Sequence, residues 1–146
     1  MSQTYVPKEL RARVSAQASF RCGYCLSSEG VVGAPMEIDH IIPESLGGIT
    51  EEENLWLACS LCNDHKSNRI IAEDPVTEAT VRLFDPRRQI WTDHFCWTEE
   101  GDKIIGLTPV GRATIVALQL NRPVLVKARQ LWVTAGWHPP VQDAKA

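Results

Sequence analysis

The chain has 146 residues, a formal net charge of −3, and 44% hydrophobic against 23% charged residues, the proportions of a folded domain rather than a disordered or fibrous chain. No stretch approaches the roughly 20 apolar residues that span a bilayer, and the opening MSQTYVPKELRARV lacks the apolar run of an export signal. Residues 1–70 carry six Lys/Arg against nine Asp/Glu, which argues against a tight, sequence-indifferent polyanion binder because phosphate contacts demand a basic face.

Taken in order, Leu10, Val14 and Ala18 recur at helical spacing and predict a short amphipathic helix over about 7–18. Met36 to Ile41 reads as a strand, Pro43 to Glu53 as a loop, Leu55 to Ala58 as a second strand and Asn63 to Ile70 as a helix. Trp91, Phe95 and Trp97 alternate with Thr92, His94, Cys96 and Thr98, which predicts a strand with one aromatic face. The EEGD turn then leads into a partner strand over Lys103 to Leu107, forming a hairpin. Thr108-Pro109 and Asn121 near Pro123 are helix starts, and Gly136 followed by His138-Pro139-Pro140 is a stop. Two helices are therefore expected, about 109–120 and 122–135. Their short link invites a DNA-reading arrangement through Arg112, Lys127 or Arg129, but Leu125, Ala128, Leu131, Trp132 and Ala135 form an apolar stripe better suited to core packing. The whole is read as a single domain, 1–146, with its chemistry in about 20–70 and an extension over about 73–140.

The chemistry is concentrated in CGYC, EIDHIIPESLGG and ENLWLACSLCNDHK. Each CxxC pair brings two thiolates to one metal from a tight knuckle, so Cys22, Cys25, Cys59 and Cys62 are expected to hold a structural Zn2+. Such thiols stay reduced in the cytoplasm, the expected location, where metal binding is favoured over disulfides. Cys96 is left over and reads as a small buried hydrophobe. Asp39, His40 and Asn63 offer carboxylate, imidazole and amide oxygen, a set suited to a hard, partly hydrated cation and a general base. Adjacent strand residues point to opposite faces, so placing Asp39 and His40 at one site requires the strand to end or bulge there.

These residues resemble the HNH endonuclease family and its ββα-metal core. His40 stands at the first motif position, Asn54 14 positions on and Asn63 nine further, in the variant with a final asparagine; Pro43, Gly47-Gly48, Leu55 and Lys66 also fall where the family's pattern expects them. The resemblance implies an α+β fold: a small zinc-stabilised ββα-metal core with an N-terminal helix and a C-terminal hairpin plus two helices. It implies hydrolysis of DNA phosphodiester bonds to 5′-phosphate and 3′-hydroxyl ends. His40 would be the general base, Asp39 and Asn63 would hold Mg2+ or Mn2+, and Asn54 would brace the loop. Lys66 and Arg69 would hold neighbouring phosphates. The pattern does not separate DNA from RNA, and a noncatalytic zinc module binding nucleic acid or protein is the alternative. That alternative accounts for the cysteines and leaves Asp39, His40, Asn54 and Asn63 without a role.

Overall fold

The computed structural model describes residues 5–140. The chain divides into two compact units, Met1–Ile70 and Ile71–Ala146.

In the first unit, α1 (Lys8–Gln17) buries Val14 and ends at Ala18, which is also buried. A single helical turn, α2 (Glu29–Val32), is capped by the Ser28 hydroxyl, which accepts from the Val31 N–H at 3.1 Å. Strand β1 (Glu37–His40) pairs antiparallel with β2 (Leu55–Ala58), one residue against one from Glu37↔Ala58 to His40↔Leu55. No bulge interrupts the pair, and the strand ends at His40. Leu55, Leu57 and Ala58 are fully buried and join Val14, Tyr24, Met36 and Ile41 in the core.

The following helix, α3 (Ser60–Lys66), begins earlier and stops earlier than the sequence pattern predicts. Cys59 provides the start, its sulfur accepting from the Cys62 N–H at 3.4 Å. Ser67 provides the stop by leaving helical geometry at φ 54°, ψ −132°; serine favours helix ends because its side chain competes for the backbone. Arg69 therefore lies beyond the helix rather than on it. With β1 and β2, α3 completes a strand, loop, strand, helix core of the α+β class.

The loop between the strands is shaped by two glycines with different jobs. Gly47 sits at φ +92°, where a side chain is strained. Gly48 lies so close to the Ile42 carbonyl that a Cβ would fall 1.7 Å from its oxygen. The sequence reading offered tight turning or approach to a phosphate for this pair; the close approach here is to the protein's own backbone.

In the second unit, β3 (Ile71–Glu73) and β4 (Thr80–Arg82) form a hairpin that the sequence reading did not anticipate. Its turn is built on Asp74, which is fully buried and accepts from the Val76 and Thr77 N–H groups and from the Thr77 hydroxyl. Next come a helical turn α4 (Trp91–His94) and a second hairpin, β5 (Phe95–Trp97) with β6 (Ile104–Gly106). The expected strand starting at Trp91 thus begins as a helix. Trp91 and Phe95 are four residues apart, which brings them to one side under either period; their rings lie 5.0 Å apart, and Trp91 and Trp97 5.4 Å apart.

Helices α5 (Pro109–Leu118) and α6 (Pro123–Ala135) follow, the first capped by Thr108 and the second ended by Gly136 at φ 84°. Arg112 of α5 clasps Asp74 with two bonds of 2.9 Å each. Arg129 of α6 is fully buried, donating to the carbonyls of Leu120 and Asp102 and lying over the Trp97 ring. Both arginines make contacts within this unit; of the expected apolar stripe Leu125 is buried, whereas Leu131 is 61% exposed and Ala135 is exposed, so the stripe packs only in part.

Candidate nuclease and metal site

The four predicted thiols come together. Cys22, Cys25, Cys59 and Cys62 place their sulfurs within 4.8 Å of one another, and among the described residues no other group of three or more His, Cys, Asp or Glu donors is so placed. Zinc–sulfur bonds of about 2.3 Å in a tetrahedron require sulfurs about 3.8 Å apart; the Cys25 and Cys59 sulfurs are 3.8 Å apart. Backbone N–H groups of Tyr24 and Cys25 point at the Cys22 sulfur, as that of Cys62 does at Cys59, an arrangement that favours thiolates. Burial pushes the Cys22 thiol well up, while contact with Cys22 draws Cys59 down to about 7. The all-sulfur donor set fits structural zinc.

Asp39 lies on β1 under α3, only 3% exposed. The Tyr24 hydroxyl donates to its Oδ2 at 2.8 Å and the Lys66 ammonium to its Oδ1 at 3.1 Å. Burial pushes the Asp39 carboxyl up, against the pull of Lys66 and Tyr24. Lys66 also donates to the His40 carbonyl at 3.0 Å. The expected phosphate-holding role of Lys66 needs correction here. Its side chain is buried, 3% exposed, because a carboxylate in that position requires a paired cation. Arg69 is exposed, its guanidinium donating to the His65 carbonyl.

His40 turns to the loop, where its Nε2 lies 2.9 Å from the Thr50 hydroxyl. Asn63 turns to Glu37, donating from Nδ2 to Oε1 at 2.9 Å. Asp39 and Asn63 thus meet different partners, Lys66 and Glu37; Lys66 lies about one turn along α3 from Asn63, and Glu37 two positions along β1 from Asp39. Glu37 and Asp39 share a face of β1 by strand alternation. Glu37, Asp39 and Asn63 offer carboxylate and amide oxygens, the donor types a hard divalent ion takes. The Lys66 ammonium is the positive charge paired with Asp39.

Asn54 is buried and ties the loop closed. Its Oδ1 accepts from the Ile42 N–H at 2.8 Å, and its Nδ2 donates to the carbonyls of Ile42 and Ile49 at 3.0 Å each. The loop bracketed by these bonds carries Thr50 to His40.

Residues 22–69 match the family model described as HNH endonuclease. Over this segment the chain is similar to the HNH endonuclease family. No curated protein and no solved structure matches the chain. The matched segment spans both cysteine pairs, β1, β2 and α3, and ends at Arg69. No helix among the described residues is long and apolar enough to cross a membrane. Sequence reasoning missed Tyr24, Glu37 and Thr50 in this segment. Tyr24 was visible inside the first CxxC, but nothing in the spacing announces its contact with Asp39. Thr50 follows the Gly-Gly pair by two residues, and only the folded loop places it against His40.

Proposed function

We propose that this protein is a metal-dependent endonuclease that hydrolyses DNA phosphodiester bonds, with His40 as general base. The observation that carries the reading is the HNH match over 22–69, which contains Asp39, His40, Asn54 and Asn63 in one segment. The bond to Thr50 supports a role for His40: with Nε2–H donating to the hydroxyl, the Nδ1 lone pair is available to take a proton from water. Asn54 supports it at one remove by closing the loop that bears Thr50.

Asp39 and Asn63 are the residues that would hold a divalent ion such as Mg2+ or Mn2+. Bound there, the ion would stabilise the charge that develops on the leaving oxygen. Such an ion would have to share or displace the Lys66 ammonium that now meets Asp39 Oδ1. Arg69, exposed near the end of the segment, is the cation proposed to meet a neighbouring phosphate. The cysteine quartet has a separate task, since four thiolates leave zinc no position for water. A reducing compartment such as the cytoplasm suits it.

One observation favours a second reading, a noncatalytic zinc module that binds nucleic acid or protein: both oxygens of Asp39 have partners within the protein. Cleavage of supercoiled plasmid with Mg2+ separates the two. The nuclease reading expects nicking that is lost in His40→Ala and on chelation. Folded, zinc-loaded wild type that leaves the plasmid intact would favour the binding module, and equal cleavage by His40→Ala would remove His40 from the reaction.

A further inference from the structure

The zinc knuckle and the proposed hydrolytic strand are joined by one side chain. Tyr24 lies between Cys22 and Cys25, fully buried, with its own N–H on the Cys22 sulfur. The neighbouring Gly23 N–H donates to the Leu57 carbonyl of β2 at 2.9 Å, so the base of the phenol is fixed to both the cysteine cluster and the sheet. At its other end the hydroxyl reaches Asp39 Oδ2. Packing alone would be served by phenylalanine; a buried phenol hydroxyl has to find an acceptor, and the acceptor here is one particular carboxylate oxygen. A carboxylate held on one oxygen cannot rotate freely, which leaves Oδ1 as the oxygen presented toward α3, where Lys66 meets it.

We propose that Tyr24 is a positioning residue: its hydroxyl orients Asp39 for a divalent cation and thereby couples the zinc knuckle to the hydrolytic site. The inference rests on the nuclease reading for its consequence in catalysis, and on geometry alone for the contact. Hydrogen bonds to a metal-ligating carboxylate fix its direction, and their loss typically lowers metal affinity or activity by about 10–100-fold.

The test is Mn2+ binding to Tyr24→Phe and wild type, read by the electron spin resonance of free Mn2+, beside zinc content and thermal unfolding. The expected result is binding weakened by about tenfold or more with one zinc per chain retained, since only a hydroxyl is removed. Mn2+ affinity equal to wild type in a folded, zinc-loaded variant would overturn the proposal. Should the variant lose zinc, wild type labelled isotopically at Tyr24 Cζ and titrated with Mg2+ decides: a saturable shift of that resonance supports the coupling, and a stationary resonance overturns it. Plasmid cleavage is scored separately. Wild type that binds Mn2+ through Tyr24 and Asp39 but cuts nothing defeats the nuclease reading and leaves this inference standing; normal cutting with Tyr24-independent Mn2+ binding does the reverse.

Discussion

Lys66 and Asp39 form an ion pair of 3.1 Å in which both side chains are 3% exposed. The same ammonium reaches the His40 carbonyl, so one buried cation holds α3 against the end of β1 where His40 departs. Desolvating two charges is costly, and such a pair persists only where further hydrogen bonds complete it. Tyr24 and the His40 carbonyl supply them.

Lys66→Met should therefore destabilise the first unit by about 3–5 kcal/mol, because it leaves a buried carboxylate without its cation. Urea unfolding followed by circular dichroism measures it. A surface lysine that only met phosphate would change stability by no more than about 0.5 kcal/mol on substitution, and a loss that small would contradict the structural role given to the pair.

Thr50→Val should lower kcat by about tenfold while leaving unfolding and zinc content unchanged, since it frees His40 Nε2 and removes no buried core contact. Plasmid nicking under substrate saturation gives kcat. Rescue by Thr50→Ser, which keeps the hydroxyl, is expected; an active Thr50→Val would show that His40 needs no such partner.

Zinc removal should unfold the ββα core. Structural zinc in small domains contributes about 10–16 kcal/mol of apparent binding energy, and here Cys59 is also the residue that caps α3. Chelation, or Cys59→Ala, should abolish hydrogen-exchange protection of β1, β2 and α3, whereas His40→Ala should preserve it. Equal loss in both variants would defeat the division between a structural metal and a reacting histidine.

The acid limb of stability should depend on Asp74. The Arg112 guanidinium, helped by the Thr77 hydroxyl and the Val76 and Thr77 N–H groups, holds the Asp74 carboxyl well below the usual carboxylate range. A carboxyl depressed by folding stabilises the folded state above its unfolded pKa, near 4, and loses that contribution as pH falls below it toward the folded pKa. Asp102, lowered chiefly by Gln130, adds in the same direction. Comparing Tm of wild type and Asp74→Asn from neutral to acid pH by tryptophan fluorescence tests it. The difference should narrow below about pH 4; a constant difference would mean that Asp74 acts through shape rather than charge.

Much of the core was legible because its chemistry is local or strictly spaced. Two CxxC pairs name four ligands whatever lies between them, and strand β2 coincides with the apolar Leu55–Ala58 run. The helices after Thr108 and near Pro123 carry their own start signals, and proline at a helix start keeps its meaning in any context. Where a residue pattern satisfied two periods, the sequence was ambiguous. Trp91 and Phe95 fit a strand face and a helical turn equally, and packing of their rings chose the turn.

By itself the sequence determined the cysteine quartet that the fold gathers and the order of strand, loop, strand and helix, because composition and spacing along the chain are sufficient for these. Tertiary structure alone decided what each polar group faces. Lys66 is 27 positions from Asp39 and Tyr24 is 15 from it, and no one-dimensional pattern says that a lysine expected at a surface will be drawn inward to neutralise a carboxylate. That outcome follows from the cost of burying an unpaired charge, a cost that exists only once the chain has closed around it.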